Sequence, residues 1–231
     1  MRLDKLLANL KYGSRNDIKK LCKQKGILVN GIVAKVSDLD VDPSKDVILV
    51  CGEEVFYKEN ITLIMNKPSG YICSTIDELY PSLLRLLDKK YSRFDFNFAG
   101  RLDADTEGLV VMSTDGELIH KITSPNKDMY KTYYVKTEVK IENEKTLESP
   151  IKLLDGKNNE YTTKGAKVSK ISDFELLLSI TEGKFHQVKR MLESIGNKVV
   201  YLKRIQIGNL TLPEDLALKE YREIDPNIIF E

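Results

Sequence analysis

Residues 2–31, RLDKLLANLKYGSRNDIKKLCKQKGILVNG, decide how the chain begins to fold. Leu3, Leu6, Leu7 and Leu10 recur at i, i+3, i+4 and i+7, the spacing of one helix face, so the segment reads as an amphipathic helix with its charges off the apolar stripe. That helix should stop near Gly13. Ser14 and Asp17 then form a capping-box pair, with Asp in place of the usual Glu or Gln, and Ile18, Leu21 and Cys22 line the buried side of a second helix that Gly26 can close. Asn30-Gly31 lies between two β-prone runs, ILV and IVAKV, and that dipeptide favours the left-handed backbone of a two-residue hairpin. DVILVCGEEVFY adds further strands, and the polar residues Lys58 to Asn60 read as a linker. Two helices and a small sheet therefore form a unit over 1–58, followed by a larger domain over 59–231.

The charge is as unevenly distributed as the structure. Residues 1–36 hold nine Lys or Arg against two acids, in a chain whose formal net charge is only +1. A basic end on a mildly acidic chain suits binding to a polyanion, because each cation placed on a phosphate releases a condensed counterion. The plainer alternative is a solvated helix surface. Of the 231 residues 42% are hydrophobic and 31% charged, which excludes a disordered polyelectrolyte. No apolar run reaches the roughly 18 residues of a membrane span, and MRLDKLLANL lacks the apolar run of a signal peptide, so a cytoplasmic protein without membrane contact is expected. Cys22, Cys51 and Cys73 are odd in number and widely spaced, which argues for reduced, mostly buried thiols.

Beyond residue 60 the pattern changes to strands such as ITLIMNK, GLVVMST, KTYYVKTEV and FELLLSI, with turns and a few helices between them. No regular βαβ rhythm is present, so the class is α+β with a mainly antiparallel sheet. GRLDADTEGL at 100–109 crowds Asp103, Asp105 and Glu107 between two glycines. A calcium loop fails, because its twelfth position would be Thr114 instead of an acid and LVVM reads as a strand. A carboxylate pair for hydrolysis remains open, as does a single ionised aspartate acting as nucleophile, which would need a cation to hold its charge. EGKFHQVKRMLESIG offers cations: Val188, Met191, Leu192 and Ile195 fall on one helical face, and His186, Lys189 and Arg190 on the other.

Two resemblances join these observations. Residues 2–31 resemble the S4 RNA-binding domain, through the SR at the second helix start and the VNG turn as much as through the helices. NKPSG (66–70), GRLDADTEGL (100–109), KTYYV (131–135) and EGKFHQVKRML (182–192) resemble, in order and spacing, the motifs of RNA pseudouridine synthases. With an S4 domain in front, the chain is similar to the ribosomal small-subunit (RsuA-like) family of these enzymes. The fold this implies is α+β, with a small N-terminal S4-like αL domain followed by a synthase domain built on a mainly antiparallel mixed β-sheet with flanking helices.

The resemblance also implies roles. Asp103 would be the nucleophile, Lys189 its ion-pair partner, and Tyr133 the ring that stacks on the extracted uracil and takes part in proton removal. Tyr134, on the other side of the strand, would pack in the core. Arg101 would help to flip the nucleotide, Lys67 would contact phosphate, Arg190 would border the RNA, and His186 would either contact the RNA or cap local structure. Asp105 and Glu107 would merely shape the loop. Arg2, Lys5, Arg15, Lys19, Lys20 and Lys23 would meet RNA from the S4-like helices. Neither a cofactor nor a metal is implied, since isomerisation of uridine to pseudouridine involves no redox change. The substrate would be rRNA, 16S within an assembling small-subunit particle, acted on by a monomer. The S4-like unit opening at residue 1, and the absence of a basic tail, favour the small subunit over a 23S target. A noncatalytic RNA-binding or assembly factor on the same fold is the alternative from another class.

Overall fold

Helix α1 (Leu3–Asn9) buries Leu3, Leu6 and Leu7, as the heptad-like spacing requires, and α2 (Arg15–Lys23) turns Ile18 and Cys22 inward. The computed structural model describes residues 1–124 and 128–231. Ser14 accepts from the Asp17 N–H at the start of α2 and the Asp17 carboxylate accepts from the Ser14 N–H, a complete capping box. Both helices end differently from expectation. Neither Gly13 nor Gly26 takes the closing left-handed position. Lys11 and Lys25 do, each at φ 60°, with the N–H groups of Tyr12 and Gly26 donating to Leu7 and Leu21 at 2.9 Å. These are Schellman closures, and the two extra hydrogen bonds offset the cost of a left-handed lysine.

Strands β1 (Ile27–Val29) and β2 (Ile32–Val33) join through Asn30-Gly31, both at positive φ, in the expected two-residue hairpin. A second such turn, Cys51-Gly52, joins β3 (Ile48–Val50) to β4 (Glu53–Glu54) and leaves Cys51 exposed, whereas Cys22 and Cys73 are buried. The four strands form one sheet in the order β2-β1-β3-β4. The core of this unit is Leu3, Leu6, Leu7, Ile18, Ile27 and Ile48 with their neighbours, each buried side chain contributing about 1.5–3 kcal/mol. The unit comprises Met1–Asn60 and also Asp88–Asp95, a segment not anticipated from the sequence. Phe94 packs on its core, and Phe56 meets Tyr91 and Phe94 edge to face at 5.8 and 5.7 Å.

The second unit, Ile61–Leu87 with Phe96–Glu231, is built on one large sheet. Its strands are β5 (Thr62–Lys67), β6 (Asn97–Phe98), β7 (Glu107–Ser113), β8 (Lys131–Thr137), β11 (Lys167–Lys170), β12 (Glu175–Ile180), β13 (Val199–Ile207), β14 (Leu210–Thr211) and β15 (Tyr221–Glu223), while β9 (Lys152–Leu154) and β10 (Glu160–Thr162) make a separate hairpin. The order is β11-β12-β8-β13-β7-β5-β15, with β14 on β13 and β6 on β7. Every pairing in it is antiparallel except β13 with β7, so the sheet is mixed and mainly antiparallel. β5 is buried along its whole length, which is why ITLIMNK shows no alternation. Helix α3 (Gly116–Thr123), capped by Asp115, contributes Leu118 and Ile122 to a core with Ile64, Leu109 and Val111. Helix α4 (Gln187–Ser194) buries Val188, Met191 and Leu192. Among the described residues no helix is long and apolar enough to cross a membrane.

Gly108 shows why the parallel pair needs a glycine. It stands opposite Arg204 at φ 103°, and a Cβ there would run into the Arg204 carbonyl oxygen.

Candidate active site

Asp103 lies in the loop that runs from β6 into β7, and Lys189 in the first turn of α4, 86 residues later in the chain. The fold brings them together. Lys189 Nζ is 3.0 Å from Asp103 Oδ2, and His186 Nε2 is 3.5 Å from Asp103 Oδ1. His186 holds the position before α4 at φ 53°, so the chain enters the helix through a left-handed residue that sets its ring beside the carboxylate. Gln187 braces the same turn: its Oε1 accepts from the Lys184 N–H at 3.0 Å, and its Nε2 donates to Glu182 Oε2 at 2.5 Å. The side chains of His186 and Lys189, at the start of α4, therefore meet the Asp103 carboxylate.

These groups line one cleft, together with Arg101, Leu102, Thr106, Tyr133, Ile180, Val188 and Leu202. Tyr133 is buried on β8 and presents its ring to the cleft wall. Arg101 is exposed at the cleft and forms no salt bridge among the described residues. Three expectations need correcting. Lys67 has no exposed surface, and its ammonium donates to the carbonyls of Pro68, Ala104 and Thr106 at 3.1, 3.1 and 2.7 Å. It cannot reach a phosphate; it ties the end of β5 to the loop bearing Asp103, while burial pushes its pKa down to about 8. The Gly70 N–H donates to the Ala104 carbonyl at 2.8 Å and adds a second tie. Tyr134 is not in the core: it is half-buried, its hydroxyl donates to Glu175, and its ring meets Tyr201 edge to face at 6.1 Å.

The third correction concerns the acids taken as loop-shaping. Asp105 accepts from Lys189 with both oxygens, at 2.7 and 2.9 Å, closer than Asp103 does. Partial burial disfavours the charge on Asp105, but the hydrogen bond and charge of Lys189 outweigh it and lower its pKa; for Lys189 burial likewise works against the charge and the two carboxylates raise it. Glu107 accepts from the Tyr201 hydroxyl at 2.7 Å, and burial followed by that bond raises the tyrosine pKa. The Asp105 contact was legible as an acid two residues from Asp103, but only the turn closed by the Thr106 N–H on the Asp103 carbonyl, at 3.1 Å, shows that both carboxylates face one cation. Arg190 is half-buried, with its guanidinium 5.3 Å from the Phe185 ring, so only part of it faces solvent.

In the first unit Arg2, Arg15, Lys19 and Lys23 border one hollow, which also gathers Lys35, a residue the motif comparison had not marked. Arg2 is partly spent there, since its guanidinium binds both oxygens of the buried Asp4 at 3.1 and 2.7 Å. Lys5 and Lys20 are exposed but lie outside the hollow, and Lys20 pairs with Asp17 at 3.3 Å.

Comparison with known proteins bears on the whole chain. Residues 1–47 match the S4 domain family, and residues 61–194 match the family described as RNA pseudouridylate synthase. The RNA pseudouridine synthase YtzG of Bacillus subtilis (strain 168) is 41% identical over 226 residues, covering 97% of this chain and 95% of that one. Ribosomal small subunit pseudouridine synthase A of Escherichia coli (strain K12) is 37% identical over 224 residues, covering 97% and 96%. A crystal structure of a pseudouridylate synthase, 35% identical, superposes with a TM-score of 0.68 over 99% of this chain and 98% of that one.

Proposed function

The chain belongs to the RNA pseudouridylate synthase family and carries an S4 domain, and on that premise we propose that it isomerises a specific uridine of 16S rRNA, with Asp103 as the nucleophile. The small-subunit target is supported by the whole-length similarity to ribosomal small subunit pseudouridine synthase A. The observation that carries the assignment of Asp103 is its ion pair with Lys189 at 3.0 Å inside a cleft walled by Tyr133.

A carboxylate attacks an electron-poor carbon only while ionised, and Lys189 places a counter-charge beside Asp103. The N1–C1′ bond of the uridine breaks, the uracil turns within the cleft, and C5 bonds to C1′; the bond that Asp103 forms with a substrate carbon breaks again before the product leaves, which restores the carboxylate. C5 gives up its proton and N1 gains one, so the product is an isomer and no external reactant is consumed. Tyr133 offers a flat face for the extruded base, whose stacking tolerates the turn, and Arg101, at the same cleft, would help turn the nucleotide out of its helix. Arg15, Lys19, Lys23 and Lys35 supply the sequence-independent grip on phosphate.

Asp103→Asn removes the charge while keeping the shape. The expected outcome is normal folding and RNA affinity with pseudouridine formation reduced by at least about 10³-fold. Conversion within tenfold of the parent would reject the nucleophile. A pseudouridine map of rRNA from cells lacking the gene, with and without re-expression, tests the substrate: a missing mark in 23S rRNA would move the target, and an unchanged map would favour a noncatalytic assembly factor.

A further inference from the structure

We propose that Asp105 is a positioning residue for this reaction, anchoring Lys189 so that its ammonium is shared with the Asp103 carboxylate and not committed to it alone. The proposal rests on the reading of Asp103 as nucleophile. An ammonium carries three protons. Nζ donates to both Asp105 oxygens, at 2.7 and 2.9 Å, while Asp103 Oδ2 lies 3.0 Å away as an ion-pair contact. Among the described residues the other Asp103 oxygen meets only the longer 3.5 Å approach of His186 Nε2. Exposure divides the two acids in the same sense: the Asp105 side chain is 69% exposed, the Asp103 side chain 28%. Asp105 therefore sits towards solvent, with Asp103 deeper in the cleft.

The arrangement balances two demands on a nucleophile. Lys189 must keep Asp103 ionised, yet a cation that donates two or three hydrogen bonds to it would tie up the lone pairs that attack. Sharing the ammonium with Asp105 divides the cation between two carboxylates. The backbone makes the sharing possible: Lys67 holds the Ala104 and Thr106 carbonyls, so residues 103 and 105 turn their side chains to the same lysine. The other charged or titratable groups around Asp103 are Lys184 and His186 ahead of α4, Arg101 on its own loop, Tyr133 on β8, Lys67 below the loop and Glu107 at the start of β7. A change at Asp105 leaves all of them in place.

The test compares the parent, Asp105→Asn and Asp105→Glu on 16S rRNA from cells lacking the gene, as naked RNA and as small-subunit particles. For Asp105→Asn the expected result is a kcat about tenfold lower with KM for RNA within twofold, and the acid limb of kcat/KM displaced to lower pH by roughly half a unit or more, because Lys189 becomes wholly the partner of Asp103. Asp105→Glu should recover most of the rate and return the acid limb. An unmoved acid limb would overturn the proposal, whatever the rate, and so would an unchanged kcat. The Lys189 ammonium titration, followed by NMR without RNA, should also fall in Asp105→Asn as one of the two carboxylates that raise it loses its charge; an unchanged titration overturns the shared-charge geometry. Because that readout needs no turnover, it separates failure here from failure of the nucleophile assignment, which Asp103→Asn tests by itself.

Discussion

Lys67 shows how a side chain can carry the right charge for one task and be placed for another. As a lysine beside a Pro-Ser-Gly turn it looks like a phosphate ligand, but its ammonium is spent on three carbonyl oxygens. Lys67→Met would leave those acceptors buried and unpaired. We expect a loss of about 2–4 kcal/mol in stability by thermal or urea unfolding, with the salt dependence of RNA affinity unchanged. A reduced salt slope with unaltered stability would return it to the phosphate-binding set. Its buried position also gives a sign for pH. Its pKa is lowered in the folded state, so the unfolded chain binds more protons between about 8 and 10.5, and the contribution of Lys67 to stability should rise as pH rises through that window. That Asp103, Tyr133 and Lys189 should meet in one cleft was legible because they sit in motifs. The division of Lys189 between two acids was not, since sequence spacing carries no information on which oxygen faces which proton.

At the level of elements, local rules in the sequence performed well where the interaction itself is local. The Leu3/Leu6/Leu7/Leu10 face, the Ser14–Asp17 cap and the Asn30-Gly31 turn all involve groups a few residues apart, and each forms as read. The helix ends differ because a Schellman closure can outweigh the usual preference for glycine, and a lysine in that position leaves no mark in a composition pattern. The strand pairing across β7 and β13 is of another kind, joining residues nearly a hundred apart, and its orientation is not encoded in either strand alone. Gly108 is the residue on which that pairing turns. Gly108→Ala should cost at least about 2 kcal/mol, since the backbone must move and φ is unfavourable, and it should lower pseudouridine formation by displacing the loop that leads into β7. Unfolding curves and turnover measured on the same preparation check both; a fully stable, fully active variant would mean that the pair can widen without consequence.

For the whole molecule, the charge pattern is the most informative property the sequence offers. An excess of positive charge in the first 36 residues maps onto a hollow bordered by Arg15, Lys19, Lys23 and Lys35, while the other unit holds the paired acids and lysine of the cleft. Binding and chemistry should therefore respond separately. Replacing Lys19 and Lys23 together with Gln is expected to weaken RNA affinity and reduce the slope of log affinity against log salt by up to about two units, with kcat at saturating RNA retained. An unaltered slope would place the docking surface elsewhere. What composition could not convey is the membership of Asp88–Asp95, because a unit assembled from distant stretches leaves no boundary signal where the chain rejoins it. Here Lys11 pairs with Asp95 at 2.6 Å and the Arg93 guanidinium covers the Tyr12 ring at 3.8 Å. An engineer wishing to graft this RNA reader onto another protein would gain little by cutting after Asn60, for the excised piece would lack its own clasp; the transplant must carry the eight-residue strap or supply a substitute for Tyr91 and Phe94.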